Sequence, residues 1–155
     1  MDNKDFKRIF CEIAKSHGFK SAYGTCYIES TECIFVLELQ KSNYSNLYYL
    51  NMKTYIQGYF DNIYSKNKDT LKNHYGSMYG RPSKEFLNIF DLDFYMPDAQ
   101  RIEELNMLFI EFIIPYSKKV LSLEGIKELV SKDKKLFTPL VEEELDRIII
   151  AKQSN

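Results

Sequence analysis

Along the first eighteen residues the apolar side chains Phe6, Ile9, Phe10 and Ile13 recur at i, i+3, i+4 and i+7, one stripe of a 3.6-residue period. Asp2 or Asn3 can cap the start, and Gly18 supplies the left-handed residue that commonly ends a helix. The spacing predicts an amphipathic helix over residues 3–17. The period then changes. Residues 19–29 are mixed, with Gly24 suggesting a bulge or a close backbone approach, and the polar link Glu29-Ser30-Thr31-Glu32 suits a hairpin turn. Residues 33–40 place Cys33, Phe35, Leu37 and Leu39 on one face. From 48 onward, Tyr48, Leu50, Met52, Thr54 and Ile56 share one face while Tyr49, Asn51, Lys53, Tyr55 and Gln57 share the other, as in a strand with one face on a core. An antiparallel meander is the simplest arrangement of these segments.

Residues 61–73 are polar and poorly periodic and read as a loop with a short helical turn. His74 to Pro82, with two glycines and a closing proline, suggests a short edge strand, and Phe90 to Met96 alternates as a further strand would, with Pro97 closing it. Helix returns with Asp98 as N-cap candidate and Ile102, Leu105, Phe109, Phe112 and Ile113 on a wide apolar face. Pro115 is expected to end or kink that helix, because it removes a backbone donor and clashes with the preceding turn. Ser122 can cap a short helix with Leu123, Ile126, Leu129 and Val130 inward, and Thr138-Pro139 is a start signal for a terminal helix bearing Val141, Leu145, Ile148 and Ile149. The pattern is that of an α+β fold: an antiparallel sheet of about four to six strands, with an N-terminal helix and about three C-terminal helices packed on it.

Composition changes this picture little. At 155 residues the chain can bury a core without disulfides or metal, and it reads as one domain over 1–155. No apolar run approaches the roughly 18 residues of a spanning helix, and the start lacks the apolar segment of a signal peptide, so no membrane contact and a cytoplasmic setting are expected. Three cysteines without metal-type spacing fit reduced thiols, with Cys11 and Cys33 falling in apolar patterns as small core residues. Formal charge is -1. Neither half of the chain has a dense basic stripe, which argues against nucleic acid.

The segments His17-Gly18-Phe19-Lys20 and Leu39-Gln40-Lys41-Ser42-x-Tyr44, followed by Tyr49 and Asn51 and later by His74 and Arg81, resemble a bacterial family known only as domain of unknown function 4304. The resemblance lies mainly over residues 1–81. It is specific as a family marker and implies no reaction.

Three groups of side chains could carry chemistry. The first is Gln40, Lys41, Ser42 and Tyr44 with Asn51, whose amide, ammonium, hydroxyl and phenol groups could hold a carboxylate, a phosphate or a peptide backbone, or could simply bond their own turn. The second is the tyrosines: eight of the 12 lie between 44 and 79, and Tyr49 and Tyr55 alternate onto the polar face, where a partner or the protein's own helices would cover them. The third is His74 with Arg81, a candidate base and anion clamp whose seven-residue separation puts them on opposite faces of a regular strand. Asp91 and Asp93 would share a strand face and form only a weak carboxylate pair. Phosphate-binding glycine loops and the common hydrolase and metalloprotease motifs are absent.

The reading that follows is a noncatalytic binding or interaction protein using a Tyr-rich sheet surface, with a toxin-neutralising immunity protein as one concrete form. No catalytic residue, metal or cofactor is implied, and the expected partner is a protein. The alternative is a small enzyme or ligand-binding protein for an anionic small molecule. In it Lys41 and Arg81 hold the anion, Tyr44 or His74 moves a proton, and Gln40, Ser42 and Asn51 orient the ligand.

Overall fold

The computed structural model describes residues 1–133 and 139–154. Helix α1 (Asn3–Ser16) begins where the Asp2 carboxylate accepts the Asp5 N–H at 2.8 Å and ends at Gly18, whose φ of 92° only glycine adopts freely. Its stripe of Phe6, Phe10, Ile13 and Ala14 is buried.

Five strands follow in an antiparallel sheet of order β1-β2-β3-β4-β5: β1 (Lys20–Ala22), β2 (Thr25–Glu29), β3 (Cys33–Lys41), β4 (Tyr48–Ile56) and β5 (Met78–Gly80). Gly24 marks neither a bulge nor a close approach. With Tyr23 at φ 53° and Gly24 at φ 75°, the two residues form the tight turn of a β1–β2 hairpin, and the space a glycine Cβ would take is open. In the β3–β4 hairpin Phe35 pairs with Thr54 and Leu37 with Met52 on one face, while Glu38 pairs with Asn51 and Gln40 with Tyr49 on the other.

Residues 90–96 form no strand. Ile89 and Phe90 end a short helix, α2 (Leu87–Phe90), and after a single bridge between Leu47 and Asp91 the chain turns. The cause is Arg101, only 3 % exposed, whose guanidinium donates to the carbonyls of Asn88, Ile89, Asp91 and Phe94 at 2.6–3.1 Å. Carbonyls that a strand would give to a ladder are thereby spent on one side chain.

Helix α3 (Asp98–Leu108) has Pro97, not Asp98, at its cap position; the Asp98 carboxylate in the first turn pairs with the N-terminal ammonium at 3.1 Å. Pro115 does not end the helix. The backbone passes through a wider π-type turn at Phe109–Ile113 into α4 (Ile114–Val120), which absorbs the missing donor and the ring's clash with the preceding turn. Helix α5 (Leu123–Lys132) is capped by Ser122, whose hydroxyl accepts the Gly125 N–H at 3.0 Å. Helix α6 (Pro139–Gln153) carries Leu145 and Ile148 inward; Thr138, expected as its cap, lies outside the described residues.

The buried side chains of α1 to α6 pack together against one face of the sheet, with Phe35, Leu37, Leu50, Met52 and Ile56. The other face has a smaller apolar cluster of Ile34, Val36, Tyr55 and Leu71, roofed by the segment between β4 and β5. No helix among the described residues is long and apolar enough to cross a membrane.

Candidate functional site

The second face of the β3–β4 pair divides into a dry half and a polar half. Antiparallel pairing puts Glu38 opposite Asn51 and Gln40 opposite Tyr49, and β5 adds Tyr79 opposite Lys53. Arg81, just past β5, reaches the same patch.

Asn51 is the centre of this patch and is only 3 % exposed. Its amide nitrogen donates to Glu38 Oε1 at 3.1 Å and to Gln40 Oε1 at 2.9 Å, while its oxygen accepts from the Tyr79 hydroxyl at 2.7 Å and from Arg81 Nε at 3.0 Å. Both donors and both acceptor positions of the amide are thus used. Arg81 also donates from Nη2 to Gln40 Oε1 at 3.3 Å and stacks 4.4 Å from the Tyr49 ring centroid. An exposed guanidinium is therefore held in one orientation from three directions.

Beside this centre lies Lys53, 2 % exposed, whose ammonium donates to Glu38 Oε2 at 3.2 Å and to the carbonyls of Leu71 and Lys72 at 3.4 and 3.3 Å. Those carbonyls belong to the short π-type turn Asp69–Asn73, which folds over the sheet. A charge this deep is tolerable because an acid and two carbonyls replace its hydration.

Of the residues singled out by sequence, Gln40, Tyr49, Asn51 and Arg81 converge. Lys41 does not: it pairs with Tyr48, so its side chain leaves the strand on the face opposite to Gln40. Ser42 and Tyr44 belong to the β3–β4 turn, where the Ser42 hydroxyl accepts the Tyr44 N–H at 3.1 Å and the Tyr44 side chain is 97 % exposed. Tyr55 is fully buried. Its hydroxyl donates to the carbonyls of Thr70 and His74, its ring meets Tyr64, and burial pushes its ionisation well above the ordinary tyrosine range. It is core, so it cannot contribute to a partner surface; the covering element is the β4–β5 segment, not a layer of helices. The His74 ring packs near Tyr55 and Tyr64 and its Nδ1 accepts the Gly76 N–H at 3.3 Å, apart from the Asn51 centre.

Asp91 and Asp93 share no strand face. Asp93 grips the β3–β4 turn, accepting the backbone and side-chain N–H groups of Asn46 at 3.0 and 2.8 Å, and these bonds hold its carboxyl below the usual range. Among the described residues, no three His, Cys, Asp or Glu side chains are grouped to hold a metal ion.

The sequence reading did not single out Glu38 or Lys53 as site residues, and it held Tyr75 and Tyr79 only as two of the eight tyrosines between 44 and 79. The first two carried a signal: a charged residue inside an otherwise apolar alternation, on strands whose register follows from the hairpin turn. Tyr75 and Tyr79, exposed to 75 % and 45 %, meet edge to face at 5.8 Å beside the Asn51 centre. On the other side of Arg81 a cavity of about 460 Å³ opens between Tyr49, Leu50, Pro82, Phe86, Leu87 and Phe90, with Ser83 and Lys84 at its polar rim.

No curated protein and no solved structure matches the chain. A family model does, over residues 10–119, and so past Arg81 and through most of α4. That span carries the sheet, the Asn51 centre and the walls of the cavity, and it is well over half of the sequence; the chain belongs to the family described as domain of unknown function (DUF4304).

Proposed function

We propose that this is a noncatalytic binding protein of the bacterial cytoplasm whose recognition surface is Arg81 with Tyr49, Tyr75 and Tyr79. The observation that carries this reading is the state of Arg81: exposed, fixed by Asn51, Gln40 and Tyr49, and without a carboxylate partner among the described residues. A cation held still before binding loses little freedom on binding, and Arg and Tyr are among the side chains enriched where an interface holds most of its energy. The adjoining cavity adds a place for an apolar group. The partner is accordingly a protein segment that presents a carboxylate next to a bulky apolar side chain.

Proton-transfer chemistry has less support. The Asn51 amide and the Lys53 ammonium are fully engaged in holding other groups, and the two residues expected to move a proton, Tyr44 and His74, stand apart from them. A small amphipathic carboxylate in the cavity, bound by Arg81 and Lys84, is the second reading, favoured by the apolar lining with cations at its rim. Lys41 has no part in it.

The test compares wild type with Arg81→Ala and Tyr75→Ala in affinity capture from a lysate of the encoding cells, after confirming equal thermal stability. A protein retained by wild type and released by both variants is the expected result. Equal retention by all three removes the proposed surface.

A further inference from the structure

Between α1 and the β1–β2 hairpin lies a second cavity of about 470 Å³ whose wall includes Cys11, Ser21 and Cys26, with Lys7 and Lys72 also lining it and Glu38 and Gln40 of β3 at its far side. Cys11 is half-buried, unlike the fully enclosed core position its sequence pattern suggests, while Cys26 is 4 % exposed. Their sulfur atoms are 3.6 Å apart, with the Cys26 thiol directed at Cys11 Sγ, and the Cys11 thiol in turn donates to Ser21 Oγ at 3.3 Å. The pair joins two elements far apart in sequence, the middle of a helix and a strand of the sheet. We propose that Cys11 and Cys26 form a peroxide-reactive dithiol site, in which Cys11 is oxidised first and Cys26 resolves it to a disulfide.

The order follows from access and burial. Both thiols line the cavity, but Cys11 is half-buried and meets the oxidant, whereas Cys26 is enclosed and burial pushes its thiol up to about 12, keeping it protonated until a sulfur electrophile stands next to it. In the first step the Cys11 thiol gives its proton to solvent and the thiolate attacks one oxygen of hydrogen peroxide; the O–O bond breaks, the departing hydroxide takes up a proton as water, and a sulfenic acid forms. In the second the Cys26 sulfur attacks the sulfenic sulfur; the S–S bond forms, the S–O bond breaks, and the departing hydroxide takes the Cys26 proton as water. Two thiols lose two electrons to one peroxide. Closing the contact from 3.6 Å to the roughly 2.05 Å of a disulfide needs a shift of about 1.5 Å, within reach of side-chain rotation and a small movement of α1.

Cys33 is outside this site. Cys26 pairs with Leu37, four residues along β3 from Cys33, which places the third thiol about 13 Å down the strand, fully buried. The proposal therefore names one bridge out of three conceivable ones.

The experiment treats the reduced 155-residue chain with stoichiometric hydrogen peroxide and maps the thiols by non-reducing peptide mass spectrometry, with Cys11→Ser and Cys26→Ser treated alike. The expected product is a Cys11–Cys26 linked peptide with Cys33 still alkylatable. Cys11→Ser should leave both remaining thiols reduced, and Cys26→Ser should hold Cys11 as a sulfenic acid that dimedone traps. A bridge through Cys33, no linked peptide in wild type, or undiminished oxidation of Cys26 in Cys11→Ser would each overturn it. The wild-type map decides the matter even if replacing the buried Cys26 impairs folding.

Discussion

The Arg81 guanidinium lies 4.4 Å from the centroid of the Tyr49 ring, and the same guanidinium donates from Nε to the buried Asn51 amide. A cation at the protein surface is thus oriented by a residue of the sheet interior. The consequence is that stability and the proposed recognition are expected to separate by mutation.

Asn51→Ala removes the common partner of Glu38, Gln40, Tyr79 and Arg81. Loss of a buried hydrogen-bonding hub is expected to cost about 1–3 kcal/mol in urea denaturation. Arg81→Ala, at an exposed position, should leave the denaturation midpoint nearly unchanged while abolishing partner capture. A variant pair in which Arg81→Ala destabilises as much as Asn51→Ala would make the Arg81 contact structural.

Lys53→Met leaves the Glu38 carboxylate and the carbonyls of Leu71 and Lys72 without their ammonium. Breaking a buried pair from one side is expected to cost about 3–5 kcal/mol. Adding Glu38→Gln removes the stranded charge and should recover part of that loss, a recovery that a double-mutant cycle measures directly.

Arg101→Lys keeps the charge but cannot reach four carbonyls from a planar fork. The expected outcome is loss of order in residues 88–94, among which Phe90 lines the Arg81 cavity. Hydrogen exchange should show faster exchange in that segment than in β3 and β4.

Acid should loosen α6. Glu144 accepts from Arg147 and from the Phe60 N–H at 2.7 Å, and the Arg147 bonds outweigh burial to lower its carboxyl. Burial alone would raise Glu32, but Lys152 of α6 and the Leu123 N–H at the start of α5 prevail and lower it. Both folded-state values lie below the ordinary 4.5, so the stabilisation is present above that pH and is lost as pH falls below it. Thermal melts from pH 7 to pH 3 should show the drop, and Glu32→Gln should shrink it; a flat profile would contradict the role of these carboxylates.

Much of the fold was legible because its local signals agree with its packing. The Phe6, Phe10 and Ile13 stripe, the Asp2 cap, and the alternation of Tyr48 to Ile56 each satisfy a local rule that the tertiary structure also needs. Residues 90–96 misled because Phe90, Leu92 and Phe94 alternate like a strand, while the partner of their carbonyls, Arg101, comes from a helix seven or more residues further on. Tyr55 misled for a related reason. Alternation assigns a face, but whether that face is wet depends on Leu71 and Tyr64, which a structureless-looking loop brings over it.

By itself, then, the sequence determined α1, the antiparallel pairing of β3 with β4, and the placing of Gln40, Tyr49 and Asn51 on the face away from the main core, because helical and period-two alternation each assign one buried face. Only the tertiary structure decided which distant residues join them. Arg81 joins Asn51, Tyr55 is roofed over, and Cys11 meets Cys26, all through contacts between segments 10 or more residues apart. Such contacts depend on how long loops close and on where buried charges find partners, and neither is written in any local period of the chain.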